Sequence, residues 1–125
     1  MEDTATIEIS IETQYIPEHS DPGEQRYSYA YTITIRNLCK HTVQLLNRHW
    51  VITDANGRVQ EVRGEGVVGE QPVLKAGEAF RYTSGCVLET AVGVMQGKYG
   101  MVDDRGRRFD APIAPFRLAV PGQVH

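Results

Sequence analysis

Hydrophobic and polar residues alternate along most of this chain, with the period of two that is typical of β-strands. Ile7, Ile9 and Ile11 alternate with polar residues near the amino terminus. The longest alternating run, Tyr27–Arg36, carries tyrosine or isoleucine at its odd positions. Further strands are predicted from Phe80 onward, over 92–101 and over 109–120. In each of them the alternation directs one face toward a core and the other toward water.

The segment Val43–Thr53 departs from this pattern, because its hydrophobic residues change phase between Leu45 and Leu46. Such a change indicates either a β-bulge at these residues or a strand that is buried on both faces. Asn56-Gly57 comes next and predicts a hairpin turn, since both residue types tolerate a positive φ. Arg58–Arg63 is then predicted to be the returning strand.

A second hairpin tip is predicted at Asp103–Arg107, before the last alternating segment. Pro112 and Pro115 interrupt that segment, and proline in a strand favours an edge position or a bend. No window of a dozen residues shows the 3.6-residue period of a helix. Many short strands separated by turns therefore predict an all-β sandwich or barrel. We expect one domain over residues 1–125, with an ordered core at about 4–120.

Composition and charge narrow the classes of partner. The formal net charge of −3 is scattered along the chain, which argues against a nucleic-acid partner bound through a basic face. No apolar run approaches the ~20 residues that a membrane span needs, and Met1–Thr4 lacks the features of a signal peptide. Cys39 and Cys86 have no C-x-x-C spacing. The sequence thus predicts a cytoplasmic protein with reduced thiols and no membrane partner.

The segment Gly64–Gly69 spells G-x-G-x-x-G, the spacing of the dinucleotide-binding fingerprint. That fingerprint requires a helix after the glycines, and Pro72 would interrupt such a helix. Glu65 and Glu70 also oppose a phosphate by like charge. Two other interpretations stay open: an anion-binding nest of backbone amides, assisted by Arg58 and Arg63, or a turn that needs glycine for its conformation.

Other chemically active residues do not converge in the sequence. His41 and His49 are separated by eight residues on one predicted strand, roughly 26 Å, which is too far for one metal ion. We predict no metal site and no catalytic residue, and we interpret Ser84-Gly85-Cys86 as a turn at the end of a strand. Trp50 is expected in the core, which leaves the neighbouring His49 exposed. His49 and Tyr27 are the candidate residues of a binding surface.

Several joint motifs resemble the ApaG family, also called CorD, over about Thr4 to Val120. The resemblance rests on the runs Arg48–Gly57, Val62–Leu74, Tyr82–Gly85, Met95–Met101, Phe109–Ile113 and Phe116–Leu118. Ala76 is a small departure, because the family often has proline there. The resemblance implies an immunoglobulin-like or fibronectin type III-like β-sandwich of about seven or eight mostly antiparallel strands. It also implies a bacterial cytosolic protein linked to cobalt and magnesium tolerance and to diadenosine tetraphosphate metabolism.

The family has no established enzymatic residues, so the resemblance implies a non-enzymatic domain without a cofactor. Its glycine motif has been suggested to bind pyrophosphate, and Gly64, Gly66 and Gly69 are the matching positions. Our first hypothesis is therefore a binding domain for an unidentified protein partner. The alternative is a protein that binds pyrophosphate or a dinucleotide with a candidate loop made of Arg63, Gly64, Glu65, Gly66, Val67, Val68 and Gly69.

Overall fold

The computed structural model describes residues 6–122, and eight β-strands make up most of that segment. The strands are β1 (Ile7–Tyr15), β2 (Tyr27–Asn37), β3 (Val43–Asp54), β4 (Val59–Glu65), β5 (Val73–Leu74), β6 (Ala79–Leu88), β7 (Val92–Asp103) and β8 (Arg108–Ala119). Two short 3-10 helices, Pro17–His19 and Pro22–Glu24, lie between β1 and β2. The first two residues of the predicted core, 4 and 5, lie outside the described residues.

The strands form two antiparallel sheets that pack face to face. The smaller sheet has the order β1-β2-β6, and the larger has the order β4-β3-β7-β8, with β5 also paired to β3. This arrangement confirms the predicted all-β, immunoglobulin-like or fibronectin type III-like sandwich. β5 was not predicted, because its two residues are too few to show alternation.

The core lies between the two sheets and is rich in aromatic side chains. Tyr29, Tyr31, Ile33 and Ile35 alternate along β2 and are all buried, so the longest alternating run faces inward as predicted. Trp50 contacts Tyr31, Tyr99 and Phe116 at ring-centroid distances of 5.7, 6.2 and 5.8 Å, respectively. Contacts of this edge-on kind are worth about 0.5–1.5 kcal/mol each beyond the area they bury.

A β-bulge at Leu46 decides which residues of β3 face the core. Leu45 pairs with Met101 and Asn47 with Gly100, so Leu46 is an extra residue on β3. The bulge confirms the first of the two predicted alternatives. Because the bulge shifts the phase by one residue, Arg48 and Trp50 point inward on the same face as Leu45.

The two sides of the sandwich differ because three strands oppose four. β1 packs against β8 along one side. On the other side β4 extends past β6, so the inward face of β4 is not covered by the smaller sheet. Val62 pairs with Trp50 and points the same way, yet it is 37% exposed.

β8 is the edge strand of the larger sheet on the side of β1, which agrees with the prediction from its prolines. Pro112 pairs with Lys98, and the register then shifts between Met95 and Gly97. Pro115 lies in this irregular segment, so the strand shows both the edge position and the bend.

The hairpin tips at Asp54 and Asp103 share one conformation. The amide of Asp54 donates to the Arg58 carbonyl at 3.0 Å, and the amide of Gly57 donates to the Asp54 carbonyl at 3.1 Å. At the second tip, the amide of Asp103 donates to the Arg107 carbonyl at 2.9 Å, and the amide of Gly106 donates to the Asp103 carbonyl at 3.0 Å. The predicted Asn56-Gly57 hairpin is confirmed, although only Gly57 has a positive φ, of 83°.

Candidate functional site

The glycine motif forms the end of β4 and a tight turn, not a strand–turn–helix unit. Val67 and Glu70 exchange two backbone hydrogen bonds of 2.8 and 2.9 Å. The residues between them, Val68 and Gly69, have φ values of 42° and 82°. Positive φ at both central positions is the signature of a type I′ turn. Since the chain continues into β5, the described segment lacks the helix that the dinucleotide fingerprint requires.

The two valines of the turn have opposite environments. Val67 is fully buried and anchors the turn to the core, whereas Val68 is 55% exposed. A positive φ is unusual for a β-branched residue, and such backbone strain costs about 1–3 kcal/mol. The turn therefore holds an exposed valine in an unfavourable conformation at the open side of the sandwich.

Other atoms closely approach two of the motif's glycines: backbone at Gly66, which therefore requires glycine, and the end of the flexible Arg48 side chain at Gly64. A Cβ atom on Gly66 would lie 2.2 Å from the Glu70 carbonyl oxygen. A Cβ atom on Gly64 would lie 2.7 Å from Nη1 of Arg48. Gly69 has open space around it, and only its backbone conformation favours glycine.

Arg48 holds the glycine turn against β3. Its Nη1 donates to the carbonyl oxygens of Glu65 at 3.1 Å and Gly66 at 3.0 Å. The bulge contributes a second connection, because the Leu46 carbonyl accepts hydrogen bonds from the Gly66 amide and the Gln71 side chain. The bulge, the arginine and the glycines thus form one interlocked unit.

Arg48 has no carboxylate partner among residues 6–122. Its Nε and Nη2 groups form no hydrogen bond with any residue of that segment. The arginines considered from the sequence, Arg58 and Arg63, instead pair on the surface with Glu89 at 2.7 Å and Glu61 at 3.4 Å, respectively.

A cavity of about 170 Å³ opens between the sheets beside Arg48, and we call it the Arg48 pocket. It is lined by Tyr31, Arg48, Trp50, Val67, Val68, Gly69, Tyr82 and Ser84. Residues from both sheets and from the glycine turn therefore meet at this place. Its polar groups are one guanidinium and several hydroxyls, which makes it a site for hydrogen-bond acceptors.

The tyrosine hydroxyls of the Arg48 pocket stay protonated at neutral pH. Burial raises the pKa of Tyr82 to about 12, against a lowering effect of its hydrogen bond with Tyr99. The Tyr82 and Tyr99 hydroxyls are 2.5 Å apart. Burial also raises the pKa of Tyr31, while a hydrogen bond with Ser84 and the charge of Arg48 act in the opposite direction. Neither tyrosine is a base at neutral pH.

The sequence interpretation of Ser84-Gly85-Cys86 as a turn was wrong, because these residues lie inside β6. Gly85 fits there because a Cβ atom would lie 2.9 Å from the Tyr29 carbonyl oxygen. Ser84 pairs with Tyr31 and points to the same face, which brings its hydroxyl into the Arg48 pocket.

Most backbone amides of the turn are engaged within the protein. The amides of Gly66, Val67 and Glu70 donate to the carbonyls of Leu46, Glu70 and Val67, respectively. In the described segment, the amides of Val68 and Gly69 have no backbone acceptor. The amides of Val68 and Gly69 are thus the ones that this turn leaves available, and the guanidinium of Arg48 is the cationic group beside them.

His49 and Tyr27, the two residues of the predicted binding surface, do not lie together. Trp50 is buried as expected, so His49 lies on the outer face of the larger sheet, where its side chain is 19% exposed. Its Nε2 lies 2.8 Å from Oε1 of Glu61, and this hydrogen bond, helped by Arg63, lowers the pKa of Glu61. Tyr27 packs, partly buried, against the core at one end of β2.

Arg48 and Ser84 were missed in the sequence, although alternation contains a signal for both. Counting back by two from the core residue Trp50 places Arg48 on the inward face. The alternation of Phe80 and Tyr82 likewise continues to Ser84. Within residues 6–122, no three His, Cys, Asp or Glu side chains are grouped to hold a metal ion. That segment also has no helix long and apolar enough to cross a membrane.

Comparisons with known proteins agree over almost the whole chain. The family model of the ApaG domain matches residues 17–103. Protein ApaG of Azotobacter vinelandii is 56% identical over 119 residues, which cover 95% of this chain and 94% of that protein. Protein ApaG of Proteus mirabilis is 54% identical over 122 residues, or 98% of each chain. The crystal structure of a Bordetella pertussis protein proposed to be ApaA superposes with a TM-score of 0.93 at 50% identity, covering 97% of this chain and 98% of that chain.

Proposed function

Since the chain belongs to the ApaG domain family, we propose that it is a non-catalytic, cytoplasmic domain that binds a protein partner at the open side of the sandwich. The observation that carries this proposal is the unpaired edge of β4 beside the Arg48 pocket. The partner, and not this domain itself, then acts in cobalt and magnesium tolerance and in diadenosine tetraphosphate metabolism, and this domain influences those processes by binding the partner.

The backbone of the open side supports strand addition. Among residues 6–122, β4 pairs only with β3 and β6 pairs only with β2, so each presents one row of amides and carbonyls that this segment leaves unpaired. An extended peptide gains main-chain hydrogen bonds when it adds to such an edge. Val62 and Val68 supply exposed apolar contacts beside that edge.

The chemistry of the buried groups supports binding over catalysis. Burial raises the pKa of the Cys86 thiol to about 11, so this thiol is a poor nucleophile at neutral pH. The tyrosines of the Arg48 pocket are likewise neutral, and a general base works best with a pKa near the operating pH.

Site-specific photo-crosslinking in the native cell tests the location of the contact. A benzophenone amino acid in place of Val62 is expected to crosslink one discrete protein. The matched control carries the same amino acid in place of Ala114, which is exposed on β8 at the opposite side. Equal crosslinking from both positions, or none from Val62, would contradict the proposal.

The second candidate function is binding of pyrophosphate or a dinucleotide by the loop Arg63–Gly69. The guanidinium of Arg48 behind this loop favours it, because arginine binds phosphate oxygens well. Titration with pyrophosphate or diadenosine tetraphosphate should then shift the backbone amide resonances of residues 63–69. Unchanged resonances at millimolar ligand would eliminate this candidate.

A further inference from the structure

Arg48 differs from the other arginines of residues 6–122 because it is half-buried and also lacks a carboxylate partner. Five arginines lie within 4 Å of a carboxylate oxygen: Arg36, Arg58, Arg63, Arg81 and Arg105. Four others have no such partner in that segment but are exposed to water: Arg26, Arg107, Arg108 and Arg117. The hydrogen bonds of Arg48 within the segment go from one of its nitrogens to two carbonyl oxygens. A charge removed from water without a counterion is unfavourable, so an anion that enters the Arg48 pocket gains from pairing with it.

The size of the Arg48 pocket limits the anion to a small group. Its volume of about 170 Å³ is below the range of about 300–1,000 Å³ that is typical of sites for whole ligands. A carboxylate with a short stem fits such a volume, whereas a dinucleotide does not. The pocket therefore suits one side chain of a larger molecule.

Charge also favours a carboxylate over a pyrophosphate. Glu65 and Glu70 flank the glycine turn and are exposed, so they repel a group that carries several negative charges. The single guanidinium of Arg48 matches one negative charge. The hydroxyls of Tyr31 and Ser84 are neutral, and their mutual hydrogen bond leaves one hydroxyl hydrogen that can be donated to a carboxylate oxygen.

We infer that the Arg48 pocket receives the carboxylate of an acidic side chain that is carried by an extended segment of the protein partner. The segment adds along the open side, and since its side chains alternate, every second one points toward the space between the sheets. This inference rests on the proposed function and adds the chemistry by which the partner is recognised. Arg48 is then a residue that determines specificity, and Val68 and Gly69 form the rim over it.

The first test uses acetate as the probe of the pocket and acetamide as its neutral counterpart. Trp50 is the chain's one tryptophan and lines the pocket, so its fluorescence reports occupancy. At constant ionic strength, acetate should give a saturable change at a concentration at least about tenfold lower than acetamide, a difference of about 1.4 kcal/mol. Equal responses, or no response to acetate, would overturn the inference. Tighter binding of pyrophosphate than of acetate would also overturn it, in favour of the second candidate function.

Three variants test whether the change in Trp50 fluorescence arises from binding in the Arg48 pocket. Arg48→Gln should abolish the difference between acetate and acetamide, and Ser84→Ala should reduce it while the hydrogen bonds of Arg48 to the glycine turn remain. Arg117→Gln is the matched control, because Arg117 is exposed on β8, at the opposite side of the sandwich, and the substitution removes the same charge. Urea unfolding of each variant shows whether it is folded under the assay conditions.

The crosslinking experiment distinguishes failure of the carboxylate inference from failure of the proposed function. With the photo-reactive residue at position 62, Arg48→Gln should remove most of the crosslinked product, and Arg117→Gln should leave it unchanged. A product that persists in Arg48→Gln would leave the proposed function standing and overturn the carboxylate inference. Absence of any product from the unmodified background would instead count against the proposed function itself.

Discussion

The glycine turn at Gly66–Glu70 and the hairpin tip at Asp103–Arg107 reverse the chain in different ways. At the tip, Oδ1 of Asp103 accepts the amides of Arg105 and Arg107 at 2.9 and 3.0 Å, and the Arg105 guanidinium pairs with Oδ2 at 2.8 Å. The glycine turn has no such carboxylate and is held by Arg48 from a neighbouring strand.

The difference concerns which hydrogen-bonding groups each turn leaves available. At the hairpin tip, the turn's own side chains satisfy its polar groups, which is what a purely structural turn requires. At the glycine turn, the clamping residue keeps unused donors and lies in a cavity. The same arginine therefore contacts both this turn and the Arg48 pocket. The following predictions test this contrast.

Gly66→Ala should have the largest effect on stability. The new Cβ atom would lie 2.2 Å from the Glu70 carbonyl oxygen, at a φ of 63°, so both sterics and backbone strain oppose it. We expect a loss of about 4 kcal/mol or more in the free energy of unfolding, measured with urea. Gly106→Ala is the control, because nothing lies within 4 Å of its Cβ position and only its φ of 80° is unfavourable. That variant should lose about 1–2 kcal/mol, and equal losses would refute the role given to close approach.

Asp54→Ala should destabilise the protein by about 2 kcal/mol, because Oδ1 of Asp54 accepts the amides of Asn56 and Arg58. Arg48→Met should cost less than about 1 kcal/mol, since loss of two hydrogen bonds is offset by removal of an uncompensated charge. Urea unfolding of both variants measures the difference. A larger cost for Arg48→Met than for Asp54→Ala would show that Arg48 is mainly structural.

Val68→Asn should stabilise the protein by about 1 kcal/mol, because asparagine tolerates the positive φ that valine disfavours. Val59→Asn is the matched control, since Val59 is similarly exposed but has ordinary strand conformation. Thermal unfolding should show a higher Tm for the first variant only. A lower Tm for Val68→Asn would mean that the exposed valine stabilises the turn by packing.

The smallest predicted effect is confined to acidic pH and to the Asp103 tip. Burial acts to raise the pKa of Asp103, but hydrogen bonds from Arg105 and from two backbone amides outweigh it and lower the pKa from 3.8 to about 2. Because the folded-state pKa lies below the unfolded one, this stabilisation is present above pH 4 and is lost as the pH falls toward 2. Unfolding free energies at pH 4, 3 and 2 should fall more in the wild type than in Asp103→Asn. Parallel curves would contradict the assignment.

Much of the fold was predictable because alternation is a direct consequence of strand geometry. Seven of the strands, the bulge in β3 and the edge position of β8 all correspond to features of the residue pattern. The candidate site was less predictable, since alternation places Arg48 on the inward face but does not show that a cavity opens beside it. The position of Ser84 was also predicted wrongly, because Ser84-Gly85 suggests a turn. The sequence does not show that the Tyr29 backbone lies close to Gly85 and favours glycine inside a strand.

The glycine motif shows the limit of reading a local pattern. Its spacing matches a nucleotide fingerprint, yet Gly66 is required by the Glu70 backbone, and Gly64 lies against the end of the Arg48 side chain. Arg48 is 16 residues away from Gly64 and 18 residues away from Gly66 in the sequence, whereas Gly66 and Glu70 meet across a turn. Spacing alone carries no information about such contacts.

The prolines of β8 have a consequence for the behaviour of the protein in concentrated solution. Pro112 and Pro115 lack amide hydrogens, so this edge is a poor template for a strand from a second molecule. β4 contains no proline and its outer edge is unpaired among residues 6–122, so extension of the larger sheet between identical chains is directed to β4. Self-association through β4 would therefore occupy the strand proposed for the partner, and a rising protein concentration would work against binding of that partner.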